Sequence, residues 1–207
     1  MYRPAAYAID DTALLHEVIR ERSFATVAAI IQDQLHFAYA PVLVDGLPKP
    51  FGSLRFHLAR TNPLSGLDGL PVHFSFVAAD AYVSPDWYDT KGFVPTWNYV
   101  AVEATGRARM LDEGELRQLL IDLSAAAEEK LRPKPPWTID RISEERLSTL
   151  FNGIRGFAVP LDRLEGKFKL SQDKKPADVA GVIAGLEAYG DPASLAVVSA
   201  MRRVRGD

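Results

Sequence analysis

Apolar positions recur in short alternating runs through the first half of the chain and at helical spacing through the second. Ser23–Ile31 is short, apolar and partly β-branched, which predicts a buried strand. Gln32-Asp33-Gln34 turns the chain into a second strand, Leu35 to Val44, and Asp45–Pro50 reads as a loop by its Gly and Pro content. Further strands are expected over Phe51–Leu58, over Val72–Val83 (two short strands or one bent one) and over Tyr99–Leu111. Asp10 or Asp11 can cap a first helix carrying Leu14, Leu15, Val18 and Ile19, with His16 on its polar face in solvent. From Asp112 the period changes. Leu116, Leu119, Leu120 and Leu123 mark an amphipathic helix that ends before Pro133-Lys134-Pro135-Pro136. A helix over Ile142–Phe151, a last strand over Phe157–Leu161 and helices over Pro176–Tyr189 and Ala193–Val204 follow. Strands first and helices gathered at the end predict an α+β fold. The expected architecture is one domain over residues 1–207, a small antiparallel barrel with a C-terminal helical extension over about 176–207.

The composition narrows the chemistry. The chain has 207 residues, a net charge of −3 and no cysteine, so disulfides, thiolate metal sites and a cysteine nucleophile are excluded. No apolar leader and no 18-residue apolar run is visible, which predicts a cytoplasmic protein outside the membrane. Phosphate-cradling glycine loops and the G-x-S-x-G nucleophile elbow are missing. None of the four histidines has a helical i,i+4 partner histidine, and no metal site is predicted.

Three segments stand out. In Arg55-Phe56-His57-Leu58-Ala59-Arg60-Thr61-Asn62-Pro63, alternation places Arg55 and His57 on one face, with Arg60 and Asn62 at the strand end. Such donors suit a phosphate, and the same spacing suits a surface strand with solvated arginines. Tyr82–Tyr88 and Val94–Tyr99 crowd aromatics beside Pro85, Pro95 and Asn98, as a ligand surface does and as a hydrophobic corner or dimer interface does. Gly166–Lys175 holds four lysines and one aspartate, which suits a phosphate, an acidic partner or a solvated loop.

Taken together these segments resemble the PaiB-like FMN-binding regulators. The resemblance rests on Met1-Tyr2-Arg3-Pro4, H-x-A-R-x-N-P at 57–63, V-P-T-W-N-Y at 94–99 and K-L-S-Q at 169–172. It implies an FMN-binding split barrel, built as a homodimer with FMN at the subunit interface. By that likeness Arg60 and Asn62, with Arg55 and His57, hold the phosphate and ribityl chain. Trp97, Asn98 and Tyr99 line the ring or the interface around it, and Ser171 and Gln172 approach the cofactor. Flavin-dependent oxidoreductase activity is open under this reading, and no residue is assigned as catalytic. The alternative is a regulatory protein acting on transcription through a partner or DNA without flavin. The acidic charge and the lack of a recognisable DNA-reading helix argue against direct nucleic-acid binding. Relatives of this barrel hold haem, but no histidine or methionine here stands out as an axial ligand. The chain departs from the family pattern at Tyr39, Leu64, Ser65, Glu103 and Asp173, and carboxylates at the last two positions would repel a phosphate if they faced it.

Overall fold

A two-residue turn sets the register of the first hairpin. Gln32 and Asp33 both take positive φ, 51° and 59°, the backbone of a type I′ turn whose twist matches its flanking strands. In the computed structural model, which describes residues 1–206, strands β2 (Phe24–Ile31) and β3 (Gln34–Asp45) then pair antiparallel from Ile31↔Gln34 to Phe24↔Pro41. The other strands are β1 (Ala8–Ile9), β4 (Ser53–Ala59), β5 (Pro71–Val83), β6 (Thr96–Arg107), β7 (Arg109–Met110) and β8 (Ile154–Lys169). Their hydrogen-bonded order is β1-β8-β4-β3-β2-β5-β6, with β7 also on β8. A further β8–β6 pairing closes the path. The five α-helices among the described residues are α1 (Thr12–Glu21), α2 (Glu113–Glu129), α3 (Glu144–Phe151), α4 (Pro176–Tyr189) and α5 (Pro192–Arg205). This is the expected α+β architecture, an antiparallel split barrel with helices at the C-terminal end.

Two details differ from the sequence reading, in β8 and at His16, and one open alternative is decided, over 71–83. The last strand runs over sixteen residues, because Gly156, Pro160 and Gly166 interrupt its apolar pattern without interrupting its pairing. The stretch over 71–83 is one continuous strand. His16 is buried, because it shares the inward stripe of α1 with Leu15 and Ile19.

The chain packs as two compact units, and β5, β6 and β8 contribute residues to each. One unit comprises Ile19–Phe76 and Ala104–Leu164. Small residues point inward from β2 and β3 (Ala25, Ala29, Ala38, Ala40), leaving room for Phe56, Phe74 and Phe157. Phe56 meets Phe74 edge-on at 5.4 Å and Phe157 at 5.5 Å. Gly106 admits no side chain, since a Cβ there would lie 2.1 Å from the Pro160 carbonyl oxygen. Helix α2 starts on a complete capping box, Asp112 with Glu115. It packs Leu116 and Leu119 over Leu111 and Ala158, with Leu43, Leu123 and Ile154 around them.

The other unit comprises Met1–Val18, Val77–Glu103 and the chain from Glu165 onward. β1 lies on β8 through Ala8↔Lys167 and Ile9↔Gly166. Gly166 lets Leu15 approach to where a Cβ would be 2.3 Å away. Gly190, at φ 74°, ends α4, and the Asp191 side chain caps α5 by accepting from the Ser194 N–H at 2.7 Å.

An ionic contact ties α2 to β4. Arg55 of β4 donates to Asp45 at 2.6 and 3.0 Å and to Asp122 of α2 at 2.9 Å. Removing the guanidinium leaves two carboxylates facing each other. Arg55→Ala is therefore expected to lower stability by about 1–3 kcal/mol, read from urea unfolding. A variant as stable as the parent would show that the contact does not hold α2.

Candidate functional site

The segment after β4 builds a polar corner. Alternation turns Phe56 and Leu58 inward and leaves Arg55 and His57 on the opposite face, as the pattern predicts. Arg55 is committed to Asp45 and Asp122, which hold its guanidinium protonated above the ordinary range. His57 lines a cavity of about 280 Å³ between β3, β4 and α2, walled by Leu43, Leu120 and Leu123. Its Nδ1 is buried with no hydrogen-bond partner among the described residues. Burial lowers the imidazole pKa, so the ring is held neutral.

Arg60 fixes its backbone by donating its N–H to the Gly153 carbonyl at 2.8 Å. Its side chain is exposed on a cleft of about 320 Å³, shared with Arg155, Ser148 and Asn152 and walled by Met110 and Phe151. Asn62 plays a supporting part there. Its Oδ1 accepts from the Leu64 N–H at 2.9 Å and caps the short turn Pro63–Gly66. That turn presents the Ser65 carbonyl, which accepts from Arg155 Nη1 at 3.0 Å. The motif thus supplies one guanidinium directly and orients a second.

In the other unit, Asn98 of β6 is buried and its amide meets Ser171 Oγ at 3.0 Å, with Met201 Sδ at 3.7 Å. Ser171 sits at φ 63°, the left-handed region that costs a non-glycine residue. Gln172 holds that turn, accepting from the Leu170 N–H at 2.7 Å and donating to the Phe168 carbonyl. Tyr99 carries Lys167 Nζ 5.3 Å from its ring centre, and Lys169 donates to Thr96. Trp97 is half exposed and meets Tyr82 edge-on at 6.1 Å. A cavity of about 160 Å³ opens here beside Tyr7, Tyr88 and Phe93. Burial first, then the hydrogen bond to Asp173, pushes the Tyr7 phenol up to about 12. Both unexpected carboxylates have cationic partners: Glu103 lies 3.1 Å from the Met1 ammonium, and Asp173 lies 2.7 Å from Lys174.

The nine residues singled out in the sequence thus form two groups, Arg55, His57, Arg60 and Asn62 in one unit and Trp97, Asn98, Tyr99, Ser171 and Gln172 in the other. Sequence reasoning missed Arg155, Ser148 and Asn152. Only the β4–β8 register, which ends at Ala59↔Ile154, brings them to Arg60.

The fold agrees with what comparison shows. The family model described as "Putative FMN-binding domain" matches residues 1–163. The chain belongs to this FMN-binding domain family, a class of split-barrel proteins whose cofactor is FMN. Protease synthase and sporulation protein PAI 2 of Bacillus subtilis is 29% identical over 197 residues, covering 93% of this chain and 92% of its own. Among solved structures, the FAD and haem binding protein of Mycobacterium smegmatis superposes with a TM-score of 0.61 at 17% identity, over 84% of this chain and 79% of its own. The flavocytochrome Anf3 of Azotobacter vinelandii gives 0.58 at 14% identity, over 87% and 78%. These two share the fold.

The His57 ring makes acid stability diagnostic. Above the ordinary value of 6.5 the imidazole is neutral folded and unfolded, so it adds no pH dependence. Below that value the unfolded chain takes the proton first, and stability falls with pH until the folded ring also titrates. The parent is expected to lose unfolding free energy on acidification below about pH 6.5, and His57→Leu to lose less. Equal slopes in urea unfolding would show that this ring is not held neutral.

Proposed function

We propose that this chain is a homodimeric flavoprotein that anchors the FMN phosphate on Arg60 and Arg155. The observation that carries the reading is the unspent guanidinium of Arg60. It makes no hydrogen bond or ion pair among the described residues, yet stands on a cleft with a second, oriented arginine. A phosphate monoester is recognised by such paired, charge-assisted donors, and the Ser148 hydroxyl and Asn152 amide add neutral ones. Met110, Leu111, Phe151 and Ile154 give the cleft the apolar wall that a flat ring needs. Arg55, held between two carboxylates, leaves the phosphate to Arg60.

Bound FMN supplies hydride and one-electron chemistry, and on this reading the chain is a flavin-dependent oxidoreductase. The chain's own residues neutralise the phosphate and shield one wall of the cleft from water. A regulatory role like that named for the Bacillus subtilis relative would then follow the state of the flavin. A direct DNA role is disfavoured because the basic segment spends three of its four lysines internally. Lys167 lies over Tyr2 and Tyr99, Lys169 bonds Thr96, and Lys174 pairs with Asp173.

The homodimer reading rests on the outer face of the β2–β3 hairpin. Phe24, Ile30, Leu35, Phe37 and Tyr39 all point outward there and are 58–68% exposed. The register puts Ile30 opposite Leu35 and Phe37 beside Ala28, so these side chains make one patch of the kind that marks an interface. A second copy of the same patch covers it with two-fold symmetry.

Two measurements test this. Arg60→Ala is expected to weaken FMN binding by about 10–100-fold in calorimetry, with Arg60→Lys between it and the parent. Unchanged affinity would remove the proposed anchor. The parent is expected to run as a dimer in light scattering, and Phe37→Glu with Tyr39→Glu as a folded monomer. A monomeric parent would dispose of the interface.

A further inference from the structure

A second cleft, of about 510 Å³, lies at the end of β5 and the α4–α5 junction. Its walls are Tyr82, Trp87, Trp97 and Tyr189, and its charged groups are Asp80 and Asp191, with no lysine or arginine among the lining residues. From this lining we infer that the cleft binds a small alkylammonium cation.

The aromatic walls are built and accessible. Trp87 is seated against α4 at two glycines. A Cβ on Gly185 would fall 2.3 Å from the indole, and one on Gly181 would fall 2.0 Å from the Trp87 carbonyl oxygen. The indole therefore cannot rotate away into the helix. Tyr82, Trp97 and Tyr189 are 46%, 52% and 73% exposed, so their rings stand open to a ligand. Trp97 and Tyr82 meet edge-on, at 75° between planes, which braces one against the other. Indole and phenol faces carry the negative side of the ring quadrupole and attract a cation.

The carboxylates choose among ligands. Asp80 makes no hydrogen bond or ion pair among the described residues and stands on the outward face of β5. Asp191 accepts from the Ser194 N–H as a helix cap and from the Ser194 hydroxyl, and it keeps its negative charge on the cleft. A phosphate or carboxylate ligand would be repelled by both. A neutral apolar ligand would strip water from them without return. An ammonium group with an alkyl body satisfies the carboxylates and the rings together. The inference stands apart from the flavin reading, because the two carboxylates exclude the FMN phosphate from this cleft.

The test is calorimetric titration of the full chain with choline and, in parallel, with 3,3-dimethylbutan-1-ol, its uncharged isostere. Saturable choline binding is expected, with the neutral isostere at least about tenfold weaker. Asp80→Asn keeps the size of the side chain and is expected to weaken choline several-fold while leaving FMN affinity unchanged. Trp97→Ala is expected to weaken choline by about 2–30-fold. Circular dichroism reports whether each variant folds, and Asp80→Asn alone decides if Trp97→Ala does not. Equal affinity for choline and its isostere, no saturable choline binding at tens of millimolar, or a folded Asp80→Asn that binds choline as the parent does would each overturn the inference.

Discussion

The pairing demand of one long strand organises this protein. β8 offers hydrogen-bonding groups along both edges for sixteen residues, and each must be met. β4 meets them over 154–160, β7 at 157 and 158, and β1 at 166 and 167, with β6 closing the path. The chemistry hangs on the same strand. Its first residues place Arg155 beside Arg60, and Gly156 lets Leu111 and Leu116 close over it. Its far end feeds the left-handed turn at Ser171 that reaches Asn98.

Polar residues here divide into those spent on the fold and those left over, and residue type does not show which is which. Asn62, Asn98 and Gln172 carry amides that could grip a ligand, and each is used on backbone or on Ser171. Arg55 and Arg60 are five residues apart on one segment. The first bridges two carboxylates, while the second reaches a cleft with no ion pair among the described residues. Only the unspent groups define what can be recognised.

This explains what could be read from the sequence. Strict alternation over 24–31, 53–59 and 71–77 made the barrel strands legible, because one buried face forces the pattern. The length of β8 is hidden because its glycines and proline look like turn signals, though Gly156 and Gly166 each answer a local packing need. The proposed phosphate anchor is legible at Arg60 and invisible at Arg155, since their meeting depends on a strand register across ninety-five positions. The dense aromatic segment was visible as a cluster, but not its division into the Asn98 network and the open Trp97 wall.

The two glycines under Trp87 have a cost in the order of assembly. Each weakens the interior of α4 by about 1 kcal/mol relative to alanine. A helix of fourteen residues with two such gaps has little tendency to form alone. Its stability is lent by an indole from about ninety-five positions upstream, which must already be in place. The stability of α4 is thus tied to a contact of high sequence separation, whose loop-closure entropy is spent before the contact repays it.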